Sequence, residues 1–190
     1  MAEGENKMEN KENTLSIVIG SWGSYNACNE RSLGSSWICL NDFDTWEEIE
    51  EELTAQGFKL EGIDEELFIQ DISEDLGFNC DYMHPKKLFN TLKSSGVLDD
   101  AYKFKEMKAY IEIEGWDCFE EMVEKDGENW DVDVYFYEDM TPEEVEEQRL
   151  EEMGLSLGKF DWLLTYINFE AMARDNDNLH EVSNGSIEIW

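Results

Sequence analysis

Short apolar runs alternate with longer periodic segments along the chain, and these two patterns predict strands and helices respectively. Strand candidates occur at 15–20, 35–40, 66–72 and 130–139, and as two short strands within 180–190. The run at 66–72 alternates imperfectly, because Phe68 and Ile72 do not fit its period of two. The apolar side of the fourth candidate consists of Val132, Val134 and Phe136. Asn184-Gly185 predicts a hairpin turn between the last two strands.

Six segments have the apolar spacing and end signals of helices. They cover 44–57, 85–96, 99–115, 116–127, 141–154 and 159–175. Thr45 with Glu48, and Thr141 with Glu144, have the spacing of capping boxes. The inward stripe of the first helix consists of Trp46, Ile49 and Leu53. The last segment is apolar around most of its circumference, which favours a buried or interface helix.

This order of elements predicts an α+β fold in which antiparallel strands and helices form an elongated chain of small domains. Residues 1–13 contain few apolar positions and are expected to be a flexible tail. Residues 14–75 are predicted to form an N-terminal α+β domain and residues 76–125 a helical middle domain. Residues 126–190 are predicted to form a C-terminal α+β domain that ends in a β-hairpin.

Charge is distributed unevenly over these segments. The chain contains 47 acidic and 14 basic residues, for a net charge of −33. Residues 14–75 have 15 acids and 2 bases, and residues 126–190 have 18 acids and 3 bases, whereas residues 76–125 have 10 acids and 7 bases. In two predicted helices, glutamates lie four residues apart, where like charges cost a few tenths of a kcal/mol per pair. Such placement indicates a basic partner, and duplex DNA as an object to imitate rather than a ligand.

The amount of charge also suggests a shape. Duplex DNA has one negative charge per ~1.7 Å of axis, so 33 charges correspond to roughly 56 Å, or about 16 base pairs. A compact globule of this length would be only about 40 Å across. Matching the charge density of a duplex therefore requires an elongated molecule.

Catalytic and metal-binding patterns are weak in this sequence. With 47 acids, a pair of carboxylates at a glycosidase-like spacing carries little information. The stretch 175–185 begins like a calcium loop, but Leu179 and His180 occupy positions that require an oxygen ligand and glycine. The cysteines and histidines have no zinc-ligand spacing. We therefore expect no enzymatic activity, no metal and no cofactor.

Nothing in the sequence indicates a membrane or export. No apolar run approaches the ~18 residues of a membrane span, and the amino terminus lacks the apolar core of a signal peptide. The expected location is the cytoplasm, with no contact with membranes.

Several stretches resemble the ArdA-type antirestriction proteins. The stretch IVIGSWGSYNACNERSLGSSWICLNDF is similar to a family pattern of a strand, Tyr-Asn, and Gly and Trp before a short apolar strand. Here these residues are Tyr25, Asn26, Gly34 and Trp37. EELFIQDIS resembles the Gln-Asp strand of the family through Phe68, Gln70 and Asp71. YINFEAMARD and NGSIEI resemble its closing helix and hairpin, and MKAYIEIEGWDCFEEMVE is a looser match, so the resemblance covers about 15–75 and 105–190.

This resemblance implies a non-enzymatic inhibitor that is elongated, has three small domains and forms a homodimer through its C-terminal part. It implies a protein mimic of bent duplex DNA that binds the DNA-binding cleft of type I restriction-modification enzymes, at the methyltransferase core, without binding nucleic acid itself. The outward acids are then candidate stand-ins for phosphates: Glu47, Glu48, Glu51, Glu52, Asp64, Glu65, Glu74, Asp75, Asp126, Glu128, Asp131, Asp133, Glu143, Glu144, Glu147, Glu151 and Glu152. The helix expected to serve domain packing or dimerisation, or simply the core, presents Phe160, Trp162, Leu163, Tyr166, Ile167 and Phe169.

Two other interpretations remain open at this point. The same surface would suit another basic DNA-binding partner, such as a nucleoid protein, which would not compete with duplex for a restriction enzyme. Salt adaptation of an unrelated enzyme would also enrich acids, but it would spread them evenly, which the segment counts do not support.

Overall fold

A computed structural model describes residues 14–81, 83–153, 162 and 165–190, and within these ranges the fold is mixed α+β. The strands form two separate three-stranded antiparallel sheets. Helices lie between the strands along the chain. In chain order the elements are β1 (Ser16–Ser21), α1 (Trp22–Ala27), β2 (Ile38–Cys39), α2 (Trp46–Ala55), β3 (Leu67–Ile72), α3 (Pro85–Ser94), α4 (Ala101–Glu114), α5 (Trp116–Asp126), β4 (Val134–Glu138), α6 (Pro142–Glu152), α7 (Phe169–Arg174), β5 (Leu179–Val182) and β6 (Gly185–Ile189). None of the helices in these ranges is long and apolar enough to cross a bilayer.

The described chain divides into two compact units. One contains the described residues up to Asp75 together with Asn79–Phe104, and the other contains Leu76–Phe78 with Lys105–Trp190. The helices predicted between 85 and 127 are present as α3, α4 and α5. The division into three domains remains a prediction.

The sheet of the first unit has the order β2-β1-β3, with both pairings antiparallel. Val18 pairs with Asp71 and Ile19 pairs with Ile69, so Gln70 has no partner on β1. This extra residue is a β-bulge, which shifts the side-chain alternation by one position. The bulge explains why the apolar residues of 66–72 do not follow a single period.

A helix that the sequence did not predict, α1, lies between the strands predicted at 15–20 and 35–40. Helix α1 begins directly after β1, where the Ser21 hydroxyl accepts a hydrogen bond from the Ser24 backbone N–H at 3.2 Å. It ends at Cys28, which has a left-handed backbone with φ of 48°. The strand predicted at 35–40 is correspondingly short, because only Ile38 and Cys39 pair with β1.

Helices α2 and α3 complete the core of the first unit. The predicted stripe of α2 is confirmed, since Trp46, Ile49 and Leu53 are all buried. Trp46 packs against Phe89 of α3, with ring centroids 6.3 Å apart. Helix α3 begins at Pro85, a residue favoured in the first helical turn because it has no N–H to leave unpaired.

The sheet of the second unit has the order β4-β6-β5. The predicted hairpin is confirmed: Val182 pairs with Gly185 across the turn that joins β5 to β6. The strand predicted at 130–139 is shorter, and Val132 is exposed in a turn before β4 begins at Val134. Trp130 is buried instead, where its ring packs edge-on against Phe119 at 5.0 Å.

The prediction of one continuous apolar helix over 159–175 is wrong, because residues 167 and 168 are not helical. Helix α7 begins only at Phe169, because the side chain of Asn168 accepts the Ala171 backbone N–H at 3.0 Å and caps the helix there. Ile167 lies outside it, and Trp162 and Tyr166 are exposed rather than buried. Phe160 and Leu163 lie outside the described residues.

Candidate partner-binding surface

Helix α2 presents an acidic face that starts from a complete capping box. The Thr45 hydroxyl accepts the Glu48 backbone N–H at 3.4 Å, and a Glu48 carboxylate oxygen accepts the Thr45 N–H at 3.1 Å. Glu47, Glu51 and Glu52 are also exposed on this helix. Among the described residues none of these four carboxylates is in an ion pair. The helix therefore exposes four negatively charged side chains that form no ion pair within the part of the chain that the structure describes.

A concave region lies beside this face, between α2 and the loop that follows it. Its acidic lining residues are Glu47, Glu50, Glu51 and Glu61, and its one basic lining residue within the described chain is Lys59. Such a concavity concentrates negative potential, because field lines from a charged cleft with protein walls are focused outward.

Helix α6 resembles α2 in having a capping box and several glutamates. Thr141 and Glu144 form a second capping box, with the Glu144 carboxylate accepting the Thr141 N–H at 2.8 Å, and Pro142 opens the helix. Glu147 and Glu151 are exposed on this helix. Glu143, Glu144 and Glu152 complete the predicted acids of this helix, and no ion pair to any of the five occurs among the described residues.

The single arginine of α6 does not neutralise the outer face. Arg149 turns inward, where it donates to the Glu146 carboxylate at 3.0 Å and also pairs with Glu188 of β6. The side-chain amide of Asn176 donates to the same Glu146 oxygen at 2.9 Å. Burial of the guanidinium would lower the pKa of Arg149, but the hydrogen bonds to Glu188 and Tyr137 raise it overall. The arginine therefore serves the interior of the unit.

The remaining predicted acids lie in loops and turns and at the end of α5. Glu65, Glu74, Asp75, Glu128 and Asp133 are exposed, and Asp131 is half-buried. Asp126 is exposed and forms a surface pair with Lys125 at 3.2 Å. The structure brings several of these residues to the surface, and their role in binding remains a prediction.

The prediction that Asp64 is an outward acid is wrong. Its residue is only 1% exposed, and its carboxylate accepts hydrogen bonds from the Ser24 hydroxyl and from the Lys59 backbone N–H at 2.7 Å. Burial alone would raise the pKa of Asp64, but these hydrogen bonds, with contributions from Ser21 and the charge of Arg31, lower it overall. Asp64 thus ties the loop after α2 to helix α1.

Several lysines form ion pairs with acids of the same chain. Lys93 pairs with Asp44 at 3.1 Å and with Asp99 at 3.5 Å, and Lys105 pairs with Glu138. These cations therefore balance acids other than those of the α2 and α6 faces. Asp44 and Glu138 lie far from their lysines in sequence, and sequence reasoning alone did not find these pairs.

Sequence reasoning also missed buried acids and exposed rings. Glu106, Glu146 and Glu188 are buried, and nothing in the local sequence of each one indicates it. The rings of Trp22 and Tyr25 are exposed on the helix that was not predicted.

Among the described residues, no group of three or more His, Cys, Asp or Glu is placed to hold a metal ion.

Comparison with known proteins agrees with the resemblance seen in the sequence. A search of curated proteins gave no match. The family described as Antirestriction protein (ArdA) matches residues 17–188. This match also spans 76–104, which the resemblance seen in the sequence did not cover. The chain belongs to the ArdA family of antirestriction proteins.

Proposed function

We propose that this antirestriction protein imitates duplex DNA and inhibits type I restriction-modification enzymes by occupying their DNA-binding cleft. The observation that carries the proposal is the outward row of carboxylates on α2 and α6, which have no cationic partner within the described residues. A surface that only needed solvation would tolerate lysines among these glutamates. A surface that imitates phosphates would not.

The energetics of the two helices are consistent with this role. Like-charge pairs four residues apart cost a few tenths of a kcal/mol each, whereas a good N-cap contributes about 1 kcal/mol. The capping boxes at Thr45 and Thr141 therefore offset the repulsion and keep both acidic helices folded. Lysines and arginines that normally contact phosphates would relieve that repulsion in the complex.

Charge complementarity of this kind acts mainly on association rate and specificity. We infer that binding weakens as salt rises, because exposed charges separated by more than about 10 Å are screened at 0.1 M salt. We also propose that the inhibitor acts in the cytoplasm as an elongated homodimer of small domains. In this account the methyltransferase core is the direct partner, no reaction is catalysed and no nucleic acid is bound.

A second candidate partner is another basic DNA-binding protein, such as a nucleoid protein. The α2 and α6 faces would suit it equally, because phosphate imitation is not specific to one class of DNA-binding cleft. Competition for a restriction enzyme separates the two candidates.

The test is displacement of a labelled duplex from a purified type I methyltransferase core. The proposal predicts displacement near stoichiometric amounts, becoming weaker as salt rises. No displacement from two unrelated type I enzymes would contradict it. Displacement from a nucleoid protein instead would favour the second candidate.

A further inference from the structure

Three aromatic rings form a small cluster at the junction of β1, α1 and β3. Trp22 stacks on Phe68 with ring centroids 4.2 Å apart and planes 23° from parallel. Tyr25 stands edge-on to both rings, 6.0 Å from Trp22 and 6.5 Å from Phe68. These two similar distances place Tyr25 beside the stack. The face of Trp22 opposite Phe68 is therefore not covered by Tyr25.

The cluster remains open to solvent. Trp22 is 36% exposed and Tyr25 is 54% exposed, while Phe68 beneath them is buried. The Trp22 ring thus keeps solvent-exposed surface while it covers the buried Phe68.

Other residues hold α1 in place. Gly23 lies so close to the Ile63 carbonyl oxygen that a Cβ at this position would overlap it. Ser24 is fully buried and donates to Asp64, and Ser21 caps the helix. The helix is therefore anchored through its small polar side, and its aromatic side is free to serve another purpose.

An exposed acidic residue, Glu66, lies next to Trp22 in the backbone. The Trp22 backbone N–H donates to the Glu66 carbonyl oxygen at 3.0 Å, so the two residues are adjacent across the junction. Glu66 is exposed, and its carboxylate is in no ion pair among the described residues. An aromatic face beside a carboxylate is the combination that a guanidinium group recognises, since it can stack on the ring and pair with the carboxylate.

We propose that Trp22 and Glu66 form a receiving site for an arginine side chain of the inhibited enzyme. This inference rests on the proposed function and adds to it: the surface offers a flat ring as well as carboxylates. Arginines in DNA-binding proteins contact phosphates and also stack on bases. A mimic that offers both features engages such an arginine more completely than charge alone does.

The test measures duplex displacement from the methyltransferase core by four variants. Trp22→Leu removes the ring without changing charge, and we expect about fivefold weaker displacement with an unchanged salt dependence. Trp22→Phe retains a smaller ring, also covers Phe68, and should lose about twofold. Glu66→Gln should weaken displacement and reduce its salt dependence. Trp37→Leu, which truncates another exposed tryptophan of the same unit, is the matched control and should have no effect.

The outcomes separate this inference from the proposed function. If the unmodified protein displaces no duplex, the proposed function fails. If it displaces duplex and Trp22→Leu does so equally well, only the arginine site is overturned. Equal losses from Trp22→Leu and Trp37→Leu would also overturn it. Urea unfolding of each variant shows whether a loss reflects the ring or the fold, and a folded Trp22→Phe that displaces as weakly as Trp22→Leu would count against the site.

Discussion

The guanidinium of Arg149 on helix α6 pairs with the buried carboxylate of Glu188 on strand β6. This pair fastens the most acidic helix of the second unit to its sheet from the inside. Because the arginine points inward, it does not pair with the outer glutamates of α6. The same contact therefore stabilises the second unit and keeps the positive charge of Arg149 away from the exposed glutamates of α6.

Removal of this arginine should destabilise the second unit strongly. Arg149→Met leaves two buried carboxylates, Glu146 and Glu188, without their cation, and breaking a buried pair in this way costs about 3 kcal/mol. Urea unfolding measures the loss. Gln148→Met, on the exposed side of the same helix, should change the free energy of unfolding by less than about 0.5 kcal/mol. Equal unfolding midpoints for both variants would contradict the structural role of Arg149.

Asp64 and Glu65 are neighbours in sequence but should behave oppositely. Asp64→Ala leaves the Ser24 hydroxyl and the Lys59 N–H without their buried acceptor, which costs roughly 2 kcal/mol. Glu65→Ala, at an exposed position, should leave the free energy of unfolding nearly unchanged. If Glu65→Ala destabilises as much as Asp64→Ala, the assignment of Asp64 to the interior is wrong.

The pH dependence of stability should reveal the ionised state of Asp64. Its pKa is lower in the folded chain than in the unfolded chain, so the folded state binds fewer protons near pH 4. The stabilisation is therefore fully present above the unfolded pKa of about 4 and is lost as pH falls through the lower folded pKa. The difference in free energy of unfolding between the unmodified protein and Asp64→Asn should be constant from pH 5 to 7 and shrink below pH 4. A difference that grows on acidification would contradict this assignment.

Gly185 should tolerate no side chain. Its φ is 145°, and a Cβ there would overlap the carbonyl oxygen of Tyr137 on the paired strand. Gly185→Ala should therefore cost about 2 kcal/mol or more, by strain at the start of β6. Gly62→Ala, where the nearest other atom to a Cβ lies 3.7 Å away, is the control and should be nearly neutral. Thermal unfolding of both variants measures the contrast.

Local signals in the sequence predict much of this fold correctly. Both capping boxes, the stripe of α2 and the terminal hairpin depend on residues within a few positions of one another, which are visible in one dimension. The helix at 159–175 failed because Asn168 offers a cap within an apolar run, and apolar composition alone does not reveal where a helix begins. The bulge at Gln70 depends on how β3 pairs with β1, and this pairing cannot be read from the sequence of β3 alone.

Burial of individual acids is the part that sequence could not predict. Asp64 and Glu65 have the same local environment in one dimension, yet only Asp64 meets the hydroxyl of Ser24 from a distant helix. Glu146 is likewise indistinguishable from Glu147 until Arg149 and Asn176 are placed beside it. Long-range hydrogen bonds decide which acids remain on the surface.

We propose that the acids of α6 act through their position and not only through total charge. One comparison tests it: duplex displacement from a type I methyltransferase core by two variants that each remove three negative charges. The first changes Glu143, Glu147 and Glu151 to Gln on α6. The second changes Asp117 to Asn and Glu121 and Glu124 to Gln on α5, where all three are exposed.

At about 0.5 kcal/mol per lost contact, the α6 variant should displace duplex about tenfold less well. It should also show a weaker dependence on salt, and its fold should be as stable as before or slightly more stable, because repulsion along the helix is relieved. The α5 variant should remain within twofold of the unmodified protein. Equal weakening by both variants would mean that only net charge matters, and would contradict the account of α6 as a face that imitates phosphates.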